Sequence, residues 1–125
     1  MFIEIKKIRQ NRNEGYRRWF TSDDMDLFVW YDDKCRVSSF QISSRDGAGE
    51  YLVNWSENNG LTYSRVIEPE PGALRYKGSN LLVTRKRFKL KSIFDKFLTY
   101  SKKVNTELVR FIVNTLVREE ILNNR

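Results

Sequence analysis

Five basic residues crowd into the seven positions of "RKRFKLK" (85–91): Arg85, Lys86, Arg87, Lys89 and Lys91. That density suits contact with phosphates, and Arg75, Lys77, Lys96, Lys102 and Lys103 lengthen the positive stretch. Trp19, Tyr63, Tyr16 and Phe88 would offer flat faces to bases if folding brought them to the same side, which makes Trp19 and Tyr63 candidate ligand-facing aromatics. A plainer reading comes first: Phe88 and Leu90 plug a core while the charges stay in water or neutralise an acidic part of the chain. A nuclear-localisation reading of 85–87 ranks last.

The second dense group is "RRWFTSDDMD" (17–26), where Asp23, Asp24 and Asp26 are weak candidates for a hard cation. The spacing fits no EF-hand loop, since the turn glycine and the terminal Glu are missing. A hydroxyl at Thr21 or Ser22 followed by Asp is more simply a turn leading into a strand, with Arg17 and Arg18 as partners for the acids. No metal and no cofactor is expected. The tryptophans Trp19, Trp30 and Trp55 combine a large apolar face with one donor and so suit either a pocket or a core. The core reading ranks first, and most firmly for Trp30.

Other chemistry is removed by composition. The 125 residues include no histidine and one cysteine, so Ser-His-Asp and Cys-His nucleophiles, imidazole zinc sites and thiolate clusters are all ruled out. Carboxylate, Lys, Tyr or Ser chemistry survives, and an enzyme ranks below a binding module. Cys35 reads as a small apolar residue on a strand just past a turn, because no histidine is present to activate it. A lone cysteine also rules out an intrachain disulfide, which favours the cytoplasm. "MFIEIKKIRQ" has no apolar run ahead of its charges, and no stretch approaches the roughly 18 apolar residues of a membrane span, so neither secretion nor membrane insertion is expected.

The formal charge of +7 is uneven. Residues 1–20 carry a net +4, residues 21–74 a net −6, residues 75–103 a net +9, and residues 104–125 are neutral. Such polarity marks either a polyanion partner or an internal match between acidic and basic segments.

The elements that would position these groups follow from period. "MDLFVWYDD" (25–33) alternates with apolar residues on both faces and reads as a central, covered strand; "DDK" (32–34) turns it into "CRVSSFQISS" (35–44). "RDGAGE" (45–50) reads as a flexible connection. "EYLVNWSE" (50–57) and "LTYSRVI" (61–67) flank Asn59-Gly60, a hairpin signal that would pair Trp55 with Ser64 and Val53 with Val66. That register would put Leu52, Tyr63 and Ile67 on the wetter face. Strands are also expected at 2–8 and 80–84, and "EPEPG" (68–72) is a corner. Leu90, Ile93, Phe94, Phe97 and Leu98 predict a helix over about 91–102, capped by Ser92. Leu108, Val109, Ile112, Val113, Leu116, Val117 and Ile121 predict a second, capped by Asn105 or Thr106. Its broad stripe suits packing on the sheet or on a second copy of the chain.

Trp19-Phe20, Asp26-Leu27 with Val29-Trp30, Phe40-Gln41, Glu50 with Leu52 and Trp55, and Leu82-Val83 ahead of two helices form a pattern that resembles a group of short uncharacterised bacterial proteins. The resemblance covers most of the chain and implies a bacterial cytosolic origin. It implies no activity, cofactor or partner. Members carry histidines near the segment matching Thr62 to Arg65, where this chain has none.

The expectation is therefore one α+β domain over 1–125. An antiparallel sheet of about five or six strands (1–84) is followed by a helical hairpin (85–125) packed on one face. An interaction or assembly module ranks first, with a protein partner or homodimer formed through the C-terminal helices. Nucleic-acid binding through 85–103 is the alternative.

Overall fold

The computed structural model describes residues 1–10, 15–47, 49–67, 81–84 and 90–123, with the backbone alone at 66, 67, 81–84 and 120–123. The chain is α+β: an antiparallel sheet precedes two C-terminal helices. Its strands are β1 (Ile3–Ile5), β2 (Tyr16–Thr21), β3 (Met25–Tyr31), β4 (Val37–Asp46), β5 (Gly49–Ser56), β6 (Gly60–Ile67) and β7 (Leu81–Thr84). They lie side by side in chain order, each antiparallel to the next. The helices are α1 (Leu90–Tyr100) and α2 (Thr106–Asn123). Among the described residues no helix is long and apolar enough to cross a membrane.

The strand beyond the five or six expected is β2. Its sequence "YRRWFT" alternates Tyr16, Arg18 and Phe20 with Arg17, Trp19 and Thr21, and the first set faces the helices. Strand β3 works the same way, burying Met25, Leu27 and Val29 completely. Phe40 and Ile42 of β4, and Tyr51, Val53 and Trp55 of β5, continue this face. Leu90, Ile93 and Phe97 of α1 and Leu108, Ile112 and Leu116 of α2 close over it, at spacings of three and four that keep each set on one side of its helix. Trp55 meets Phe111 edge-on at 5.5 Å, and Phe2 packs on Phe97 at 5.9 Å.

Local chemistry sets the connections. The Asn105 side-chain oxygen accepts from the amides of Glu107 (2.9 Å) and Leu108 (3.2 Å), which makes it the N-cap of α2. Helix α1 starts at Leu90, so Ser92 lies within its first turn instead of capping it. The segment 45–50 is a tight hairpin: Asp46 pairs with Gly49, leaving only residues 47 and 48 between the strands. Cys35 is exposed in the β3–β4 turn at φ +61°, not on a strand.

The β5–β6 hairpin departs most from expectation. Ser56 pairs with Gly60, Trp55 with Leu61 and Val53 with Tyr63. The loop is 57–59 instead of Asn59-Gly60. Gly60 supplies the left-handed residue (φ +74°), and the Asn59 amide donates to the Ser56 hydroxyl at 3.1 Å. The register differs from the expected one by an odd number of residues, so every β6 side chain changes face. Leu61 and Tyr63 consequently pack against the core.

Candidate functional site

Among the described residues, no helix lies over the other face of the sheet. Register arranges its side chains in cross-strand rows. One row runs Ile5, Trp19, Phe28, Gln41, Asn54, Thr62; the row beside it runs Arg17, Trp30, Ser39, Ser56. Aromatic groups occupy the β2–β3 half, and amides and hydroxyls the β4–β6 half.

The aromatic half is a continuous stack. Trp19 and Phe28 lie 5.6 Å apart at 15°, and Phe28 and Trp30 lie 6.2 Å apart at 28°. All three are half-buried. Beside Trp19 and Phe28 opens a cleft of about 390 Å³ lined also by Lys7, Ile8, Arg9 and Arg17. Residues 6–10 are held there by reciprocal bonds: Gln10 donates to the Arg17 carbonyl and accepts from the Arg17 amide, both at 3.0 Å, while Arg17 Nε donates to the Arg9 carbonyl at 2.7 Å. No described residue pairs with the side chains of Lys7 or Arg9. The Trp19 indole nitrogen is buried with no hydrogen-bond partner among the described residues.

Elsewhere on this face the described charged groups have partners. Asp26 accepts from the Thr21 hydroxyl and from Arg45 (3.0 Å), and Glu50 accepts from Ser43 (3.1 Å). Among the described residues, the cleft wall has no carboxylate. Among the described residues of this face, positive charge is thus left unmatched on the aromatic side.

The other sequence candidates are dispersed. Arg85, Lys86, Arg87 and Lys89 lie outside the described residues. Lys91 is exposed on α1, in the layer opposite Trp19. Tyr63 faces the core side and shares no surface with Trp19. Trp30, expected in the core, stands half-buried on the helix-free face, because the described helices cover the other face of β3; Trp55 is the tryptophan that lies in the core.

Asp23, Asp24 and Asp26 do not converge. Asp23 is exposed, Asp26 turns to the helix-free face, and Asp24 reaches α1, accepting from the Tyr100 hydroxyl (2.8 Å) and Lys96 (3.1 Å). Burial pushes the Asp24 carboxyl up, but these two donors outweigh it and hold it below its ordinary value. Tyr100, bonded to that carboxylate, is held above its own. Lys96 therefore places its charge against the acidic segment. No group of three or more Asp, Glu or Cys side chains gathers among the described residues.

Arg17 and Arg18 do not pair with these acids either. Arg18 bonds both oxygens of Glu4 at 2.8 and 2.9 Å and lies 4.8 Å over the Phe20 ring. The hydrogen bond from Arg18 holds the Glu4 carboxyl below the usual range, against the opposing effect of burial.

No protein-family model, no curated protein and no solved structure matches this chain, and none supplies a function. The site is read from its own geometry.

With Trp19, residues 7, 9, 17, 28 and 30 carry this surface, and a reading of "RRWFTSDDMD" as a turn conceals it. The available signal was the alternation in 16–21, which sends Arg17 and Trp19 to the face carrying Phe28 and Trp30.

Proposed function

We propose that the chain is an interaction module that engages its partner through the helix-free face of the sheet. One observation carries this reading: Trp19, Phe28 and Trp30 form a half-exposed aromatic stack beside cations that no described residue neutralises. Water-facing positions of an antiparallel sheet are ordinarily polar, so contiguous aromatics there are characteristic of a contact surface. The exposed, unbridged Cys35 supports a reducing cytoplasm as its compartment.

The three indole N–H resonances test the proposal. Trp19 and Trp30 stand on the proposed face, and Trp55 is a built-in control within the core. Titration of labelled protein with a single-stranded oligonucleotide, polyglutamate and a sulfated polysaccharide is expected to move the first two with at least one probe and leave the third in place. Shifts confined to helix amides around Leu98 and Val117, or no shift with any probe, would refute it.

A homodimer through the helices is the second reading, resting on Leu98 (40% exposed) and Val117 (44%). Most of the apolar stripe of α2 is already spent on its own sheet, since Leu108, Ile112 and Leu116 are buried there. Light scattering that shows a monomer at high concentration removes this reading.

A further inference from the structure

Resting on the reading of the helix-free face as the contact surface, we infer that its partner is single-stranded nucleic acid. Charge complementarity is the first reason. The cleft beside Trp19 and Phe28 presents Lys7, Arg9 and Arg17 with no carboxylate among the described residues of its wall, which suits an anionic occupant. The Arg17 guanidinium is oriented by its bond to the Arg9 carbonyl, leaving its terminal nitrogens for a ligand oxygen.

Ring geometry is the second. Trp19, Phe28 and Trp30 are nearly parallel, at 15° and 28°, and flat groups extend such a stack without sequence preference because every base has a π-face. An acidic peptide would satisfy the cations but leave the rings in water. A paired duplex would hide its base faces. A single strand supplies both phosphate and exposed planes. Gln41, Asn54 and Thr62 continue the Trp19–Phe28 row and hold donors and acceptors suited to base edges.

Fluorescence anisotropy with a labelled homopolymer of roughly twelve nucleotides tests this, run at about 50 and about 200 mM salt. With three phosphates neutralised, affinity is expected to fall about 20-fold between the two, from a slope of roughly 0.7 per contact for single strands. Lys7→Gln with Arg9→Gln, both exposed and remote from the core, is expected to lower that slope by about 0.7 per cation removed. Phe28→Leu is expected to weaken binding on the order of 10-fold or more at unchanged salt dependence. Thermal denaturation confirms that each variant is folded.

Polyglutamate of equal length binding as tightly would overturn the nucleic-acid inference while leaving the contact face standing, as would equal affinity for duplex. Oligonucleotide binding that survives both variants and leaves the Trp19 and Trp30 resonances unmoved would overturn the inference, and the face with it when no other probe moves those resonances. Absence of binding at the lower salt would overturn the inference alone if another probe still moves those resonances.

Discussion

Trp19→Phe separates a tryptophan kept for stability from one kept for contact. The indole nitrogen of Trp19 is buried and unpartnered, and leaving such a donor unsatisfied costs about 1–3 kcal/mol. Phenylalanine removes the donor and retains a ring to stack on Phe28. What it loses is the extra width of the indole, of order 40 Å² of apolar surface, which at about 25 cal/mol per Å² is ~1 kcal/mol if fully buried. Trp19 is only half-buried, so the loss is smaller. The expected result is stability unchanged or raised by up to about 2 kcal/mol. Trp19→Ala, which also loses the stacking with Phe28, is expected to cost about 2–3 kcal/mol. Urea denaturation measures both, with an unchanged m-value showing that the same surface is exposed on unfolding. A loss above about 1.5 kcal/mol in Trp19→Phe at constant m would refute the reasoning, because it would mean that the indole N–H is satisfied or its outer ring fully packed.

Three further predictions follow from the same geometry. Asp24→Asn should weaken the tie between the β2–β3 turn and α1 by about 1 kcal/mol, a modest figure because the carboxylate is partly exposed. A depressed carboxyl stabilises the fold above its unfolded pKa and loses that effect as pH falls through the folded one, whereas a raised Tyr100 stabilises below pH 10 and loses it above. Melting temperatures of wild type and variant should therefore differ most near neutrality and converge at both extremes. Gly15→Ala and Gly60→Ala share a positive φ, but a Cβ at Gly15 would sit 2.2 Å from the Tyr31 carbonyl oxygen, whereas at Gly60 the nearest atom is Glu119 Oε1 at 3.8 Å. Chemical denaturation should show about 1 kcal/mol lost at Gly60 and at least roughly 3 kcal/mol at Gly15. Ile112→Ala, at a fully buried position of α2, is expected to cost about 2–5 kcal/mol in the same assay, and a cost near zero would mean that α2 is not docked on the sheet.

Period carried most of the architecture. Strands β3, β4, β5 and β6 were visible as alternation and α2 as a stripe with Asn105 at its head, because these features depend on neighbours two to four residues away. Strand β2 was not visible: two arginines and three nearby aspartates resemble a solvated turn until their partners are known, and those partners, Glu4, Arg45 and Lys96, lie on other elements. The β5–β6 register failed for a related reason. Asn59-Gly60 satisfies a two-residue turn locally, but the register formed brings Leu61 and Tyr63 onto the face where Val53 and Trp55 are buried. The site was concealed by an ambiguity intrinsic to β3. Both of its faces carry large apolar residues, and the docking of α1 and α2 decides which one is covered.

That ambiguity bears directly on function. If the aromatics on the second face of β3 served only cross-strand stability, β-branched residues would do nearly as well, since such pairs contribute a few tenths to about 1 kcal/mol whichever type is used. Rings there add apolar surface that water must wet, a cost that folding alone gives no reason to bear. The aromatics are also not spread over the face: along the row from Ile5 to Thr62 they end at Phe28, and amides begin at Gln41. The unmatched cations fall on the same side as the rings, while Asp26 and Glu50 on the remainder are satisfied by Thr21, Arg45 and Ser43. Coincidence of rings with unmatched charge is what a contact surface for an anionic partner requires, and a face shaped only by sheet packing would have no reason to place them together.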